Sequence, residues 1–182
     1  DRAAHAADGS ARVTGKVGGG AATAGPGATN LVTGIMGAKA DAVPMVAITG
    51  QVARASQGSE AFQECDICSI AASTTKATYM VMNPADLAEK IREAFYVAQE
   101  GRPGPVLIDV PRDVQMELTD AVFPDVVKPP APEVSEEALE RLKEAARLIN
   151  EAERPLIISG HGVMTSGANK ELLSLAERSG IP

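Results

Sequence analysis

The chain has 182 residues, 45% hydrophobic and 23% charged, which fits a globular protein able to bury a real core. Its 17 Lys and Arg against 24 Asp and Glu give a net charge of -7, and that argues against binding nucleic acid or an anionic membrane through bulk electrostatics. No apolar run reaches the length of a membrane span and no signal-peptide pattern is present, so no membrane partner and a cytoplasmic location are expected.

Taken in chain order, Ala3 to Thr14 is Ala-rich and reads as a helix closed by Gly15. Val17 to Thr23 stands where a strand belongs, although Gly18-Gly19-Gly20 offers no side chains to pack. Gly25-Pro26-Gly27-Ala28-Thr29-Asn30 reads as a tight turn, followed by a helix over Leu31 to Ala40. Pro44 to Thr49 is a short apolar run ending at Gly50, the mark of a buried parallel strand. Gln51 to Thr75 is predicted to be mostly irregular, with one helix around Cys65 to Ala71. A stretch of that length inside a domain is usually functional.

Asn83 can cap a helix with Pro84 in its first turn. Its apolar stripe is Leu87, Ile91, Ala94, Phe95 and Ala98, at helical spacing. Gly101 to Gly104 ends it, and Pro105 to Pro111 is the next buried strand. Strand and helix alternate, which predicts an α/β fold with an open, mostly parallel sheet flanked by helices. Phe123 to Glu133 then carries Pro124, Pro129, Pro130 and Pro132 and reads as an extended linker. The domain organisation expected is therefore 1–122, a linker over 123–134, and the start of a second α/β domain over 135–182. In that second part Ser135 caps a helix with the stripe Leu139, Leu142, Ala146 and Ile149. Leu156 to Ser159 reads as a strand, Gly160-His161-Gly162 as a turn and Asn169 to Ser179 as a helix. The first helix is already under way near Asp1, and a new strand is expected at Ile181-Pro182, so the chain reads as a piece of a longer protein.

Single motifs carry little. Gly25 to Asn30 has the form G-x-G-x-x-N, and glycines at a strand-to-helix turn allow close backbone approach to a ligand. A dinucleotide fingerprint wants Gly or Ala in place of Asn30 and an acid about twenty residues on, and Thr49-Gly50-Gln51 has none. A phosphate loop around Gly15-Lys16 fails at Ser10 and Val17. Cys65-Asp66-Ile67-Cys68 supplies at most two of four zinc ligands and lacks a thioredoxin-like context, so inert thiols are expected and no metal site. His5 and His161 are the only histidines, and no nucleophilic triad is legible. Glu136-Glu137 reads as a solvated first helical turn favourable to the helix dipole.

The motifs in combination say more. Ala3 to Gly9, Gly25 to Asn30, Val43 to Val52, Ala61-Phe62-Gln63-Glu64, Thr75-Lys76 and Gly101 to Pro111 resemble, in order and spacing, the large subunits of acetolactate synthases. The run Thr49-Gly50-Gln51-Val52 followed by Ala61 to Glu64 is the most specific part. The resemblance implies three domains: a first that grips the pyrimidine end of thiamine diphosphate, a middle one that often holds FAD, and a last that binds the diphosphate through Mg2+, a site outside this chain. It implies that the glutamate that activates the cofactor would stand just before Asp1, so that this piece alone is expected to be inactive. It implies Gly25, Pro26, Gly27, Ala28 and Asn30 as a loop beside the cofactor and the dimer partner, and Gln63 as the catalytic glutamine. Phe62 becomes its substrate-side neighbour, Lys76 a lysine near the channel mouth, and Gly160 and Gly162 a turn near the flavin. The implied reaction condenses pyruvate with a second 2-keto acid in branched-chain amino-acid biosynthesis, in a homodimer or tetramer with a small regulatory subunit as a further partner.

The sequence departs from the family at Gly19-Gly20-Ala21 in a strand that is normally apolar, at Ala53 for a proline, at Ser59-Glu60 for Thr-Asp, and at Cys65 and Cys68. Alternatives at this stage are a sulfoacetaldehyde acetyltransferase, a pyruvate oxidase or a benzoylformate decarboxylase of the same superfamily, a non-catalytic nucleotide-binding module, or an interaction domain without ligand. The resemblance places the Gly25 turn and the Gln63 segment on one wall of a thiamine pocket at a subunit boundary.

Overall fold

The computed structural model describes residues 1–120, 122–130 and 133–182. They form two units, Asp1–Pro130 and Ala131–Pro182, which part inside the proline-rich stretch expected to be a linker. Its Pro132 lies outside the described residues, and 122–130 has no regular structure.

In the first unit, helix α1 (Arg2–Thr14) ends at Gly15, whose φ of 66° takes the left-handed cap that glycine adopts most easily. Strand β1 is Gly18–Ala22 and β2 is Met45–Gln51. Strand β4 is Pro105–Pro111. Between them run α2 (Pro26–Thr29) and α3 (Val32–Ala40), α4 (Ile67–Ala71), β3 (Ala77–Met80) and α5 (Leu87–Gln99). A short α6 (Arg112–Met116) follows β4. The four strands are all parallel, in the order β1-β2-β4-β3. The open parallel sheet flanked by helices is the architecture the alternation predicts.

Side-chain alternation assigns the two faces. Met45, Ala47 and Leu107 point toward Ala4, Ala7, Ala11, Ile35, Ala38 and Ile67 of α1, α3 and α4. Val46, Val106, Ile108 and Val110 point toward Ala94 and Ala98 of α5 and toward Val114. Both faces are covered, which is why β2 and β4 read as continuous apolar runs. The chain moves one way from β1 to β2 to β3 and turns back to β4. With right-handed crossovers the rule, that reversal sends α5 to the other face.

The triple glycine does form a strand. A Cβ on Gly18 would stand 2.2 Å from the Ala7 carbonyl oxygen, and one on Gly20 would stand 3.2 Å from that of Ala3. The apolar side chains expected there are replaced by close approach of α1. Asn83 caps a 3-10 turn over Pro84–Asp86 that leads into α5, accepting from the Ala85 N–H, rather than α5 itself, which follows Asp86. Three further readings need correction. β3 was not foreseen in the sequence, because a four-residue edge strand of half-buried residues gives no apolar run. Gly25 to Asn30 is more than a turn, since Pro26–Thr29 makes one helical turn. Phe95 is 36% exposed and sits at the margin of its stripe, while Ala94 and Ala98 are fully buried.

The second unit contains α7 (Glu136–Glu151), α8 (His161–Thr165) and α9 (Asn169–Ser179). Ser135 caps α7 by accepting from the Ala138 N–H. Leu156 to Ser159 does not form a strand. Among the described residues of this unit no neighbouring strand pairs with it, and its one ladder-like bond runs from the Ile157 N–H to the Pro182 carbonyl at 2.9 Å. Gly160-His161-Gly162 is the entry to α8 rather than a free turn.

Candidate functional site

In an open parallel sheet, ligands bind beyond the carboxyl ends of strands, where successive connections leave for opposite faces. Here that point lies between β2 and β4, because the chain leaving β2 reaches α4 on one face and α6 after β4 packs on the other. A cleft of about 790 Å³ opens there. Its floor and walls include Ala21 to Ala24 after β1, Ile48 to Ala53 on and after β2, Val110, Arg112 and Gln115 at the end of β4, and Leu87 and Ile91 of α5. Ala61, Phe62 and Gln63 close it on the side of the long loop. The chemistry of the lining is apolar wall plus amide and backbone groups.

The Gly25 turn and the Gln63 segment meet directly. Gly25 has φ 58°, and a Cβ there would stand 2.9 to 3.0 Å from the carbonyl oxygen, Cα and Cβ of Gln63. Only glycine fits both the backbone angle and the space. A Cβ at Gly27 would stand 2.6 Å from Thr23 Cγ2, so a side chain there would require the exposed Thr23 side chain to move. Ala28 is buried in the core beneath, and Pro26 and Asn30 lie exposed on α2. Gln63 itself has φ 66°. Phe62 is 90% exposed beside the cleft, a large apolar side chain facing solvent.

The loop bearing these residues is built by its own carboxylate. Glu64 accepts from the N–H groups of Gly58 and Ala61, and those bonds hold its carboxyl below the usual glutamate range. Arg54 ties the start of the loop to α6, donating to Asp113, to Glu117 and to the Met82 carbonyl. The guanidinium keeps Asp113 well below the usual carboxylate range.

Lys76 is not brought to the cleft. It precedes β3 at the opposite edge of the sheet, where its Nζ donates to the carbonyls of Val97 and Glu100. Gly160 and Gly162 belong to the second unit, at the start of α8. Cys65 and Cys68 are free thiols. Burial raises both, Cys68 to about 11, so neither is a thiolate at neutral pH and both suit the inert role expected of them. Among the described residues no group of His, Cys, Asp and Glu could hold a metal ion, and no helix is long and apolar enough to cross a membrane.

Sequence reasoning missed a buried acid. Asp109 in β4 is fully buried, and desolvation pushes its carboxyl up to about 6 despite hydrogen bonds from Thr49 and Gln51. The signal was legible: an acid inside the apolar run Pro105 to Pro111, with hydrogen-bonding residues at alternate positions of the neighbouring strand.

The fold is an open α/β domain with a cleft at the sheet's carboxyl edge. Residues 1–70 match the family described as thiamine pyrophosphate enzyme, N-terminal TPP binding domain. Residues 142–182 match thiamine pyrophosphate enzyme, central domain. The chain is 49% identical over 181 residues to the acetolactate synthase large subunit of Corynebacterium glutamicum, covering 99% of this chain and 29% of that protein. It is 49% identical over 183 residues to the acetolactate synthase of Arthrospira platensis, 99% and 32%. It is 47% identical over 184 residues to a probable acetolactate synthase large subunit of Methanocaldococcus jannaschii, 99% and 31%. The chain belongs to the thiamine pyrophosphate enzyme family, in the branch of the acetolactate synthase large subunits. It spans about a third of the length of the curated relatives it matches.

Proposed function

We propose that the protein containing this chain is an acetolactate synthase, which joins pyruvate to a second 2-keto acid with thiamine diphosphate, and that the cleft at the end of β2 and β4 is this chain's share of the active site. The observation that carries the reading is the contact of Gly25 with Gln63 at the edge of that cleft. Gln63 lines the opening, and Gly25, next in the chain to the lining residue Ala24, packs against it.

The residues suit the organic half of the cofactor. Ile48, Val110, Leu87 and Ile91 offer apolar surface to an aromatic ring, and the amides and backbone of the strand ends offer the few polar groups that fix orientation. When bound, thiamine diphosphate supplies the electron sink that decarboxylation requires. Gln63 presents an amide that can donate and accept at the reacting centre, and Phe62 shields it from water. The exposed guanidinium of Arg112 adds a positive charge to the lining, suited to the carboxylate of a 2-keto acid. Mg2+, held outside these residues, FAD beside Gly160 and Gly162, a homodimer or tetramer, a small regulatory subunit and a cytoplasmic setting complete the reading. The resemblance supports them, and the name large subunit borne by relatives supports the regulatory partner.

The test uses the full-length protein. Incubated with pyruvate, thiamine diphosphate and Mg2+, it is expected to form acetolactate, and Gln63→Ala is expected to lower turnover about tenfold or more at unchanged melting temperature. Free acetaldehyde as the main product would shift the assignment to a sister decarboxylase of the superfamily. Absence of any product from pyruvate would refute it.

A further inference from the structure

The proposed chemistry gives Asp109 no task, yet it is a fully buried acid close beneath the cleft. Its side chain shares a face of the sheet with Thr49, its register partner, and with Gln51 two residues on. Thr49 Oγ1 donates to one carboxylate oxygen at 2.7 Å, and Gln51 Nε2 donates to the other at 3.0 Å. The same Nε2 also donates to the Cys65 carbonyl at 2.6 Å, while Gln51 Oε1 accepts from the Val52 N–H at 2.9 Å. One buried amide therefore holds both ends of the segment 52–65, its first N–H and its last carbonyl.

The carboxylate decides which way that amide faces. An ionised carboxylate only accepts, so it selects the Nε2 edge of Gln51 and rejects the Oε1 edge. With Nε2 turned to Asp109, its second hydrogen reaches Cys65 and Oε1 is left for Val52. A flipped amide would oppose oxygen to oxygen at Asp109 and again at Cys65. The segment being held needs holding. Glu60 and Gln63 both take the left-handed region, with φ 55° and 66°, and non-glycine residues stay there only when their surroundings over-determine them.

We propose that Asp109 and Gln51 act as a clamp that closes residues 52–65 into the conformation that sets Gln63 against Gly25. They are positioning residues. Their consequence for turnover rests on the reading of Gln63 given above, but the clamp itself is a property of the unliganded fold.

Thr49 provides the control. Thr49→Val removes one hydrogen bond to the same buried carboxylate and touches neither end of the segment. Gln51→Met removes the other and both links to the segment. Hydrogen exchange of the amides of Ser56, Gln57, Gly58, Ala61 and Glu64, each bonded within the segment, is read in the full-length protein without substrate or cofactor, alongside melting temperature. Gln51→Met is expected to speed that exchange about tenfold or more, and Thr49→Val to lower the melting temperature without changing it. The double variant Gln51→Glu with Asp109→Asn keeps a bond between β2 and β4 and the acceptor for Val52 but leaves Cys65 without its donor. It is expected to speed exchange at Ala61 and Glu64 while melting close to the parent. Unchanged exchange in Gln51→Met and the double variant, or equal acceleration by Thr49→Val, would overturn the clamp. If wild type makes no acetolactate while the exchange pattern holds, the assigned reaction fails and the clamp stands.

Discussion

The two units are written in the same grammar of apolar runs and amphipathic helices, and within residues 1–182 only the first buries what the pattern marks for burial. In the first, α1, α3 and α5 set Ala4, Ala7, Ala11, Ile35, Ala94 and Ala98 against a four-stranded sheet. In the second, α7, α8 and α9 bury no residue, and Leu139, Leu142 and Ile149 of the expected stripe remain partly exposed at 48%, 59% and 39%. A helical stripe states which side wants a partner, and a sheet face supplies one. Parallel strands supply each other only when crossovers bring several together.

The sharpest way to break this contrast is to truncate equivalent residues. In a protein limited to residues 1–182, Leu107→Ala, in the fully buried centre of β4, is expected to cost about 3 kcal/mol in denaturant unfolding, and Leu142→Ala in α7 less than about 0.5 kcal/mol. Equal costs would mean that both units bury their stripes alike. Within the first unit, Gly25→Ala combines a positive φ with a clash on the Gln63 backbone, and is expected to lose about 2 kcal/mol. A variant as stable as the parent would separate the two segments that define the cleft.

Asp109 gives a pH signature that the second unit lacks. A buried acid with a raised pKa binds its proton more tightly in the folded chain than in the unfolded one. The contribution of Asp109 to the stability of the first unit therefore falls as pH rises from about 4, where an unfolded Asp titrates, to about 6, and levels off above, against the opposite trend from Glu64 and Asp113. Asp109→Asn is expected to flatten that slope in thermal melts across the window. Gln63→Gly relieves the left-handed backbone angle and is expected to raise stability by about 1 kcal/mol while lowering turnover of the full-length protein, the mark of strain kept for function. In the second unit, Ser135→Ala removes the α7 cap and is expected to cost about 0.5 to 1 kcal/mol of helix stability, visible as faster exchange of the Ala138 amide.

Much of the architecture was written locally. The αL glycine after α1, the Ser135 cap and the apolar runs of β2 and β4 each obey a rule that spans a few residues, and each formed as read. Local rules fell short where a partner decides. Leu156 to Ser159 has strand composition but, among the described residues, no neighbouring strand, while Ala77 to Met80 has no apolar run and is a strand because β4 lies alongside. The triple glycine reads as a poor strand, yet it pairs with β2, and its missing side chains leave the space that α1 fills.

For the site, the order of motifs carried the membership of the family and marked Gly25 and Gln63 as residues of interest. The resemblance also implied that the two share one wall, while the close approach of Gly25 to the Gln63 backbone, the absence of Lys76 from the cleft, and the bonding of Asp109 through Gln51 to Cys65 came from the fold alone. Hydrophobic period and turn chemistry act over distances of a few residues along the chain. A cleft at the carboxyl edge of a parallel sheet is made by segments that are adjacent only after the crossovers have closed.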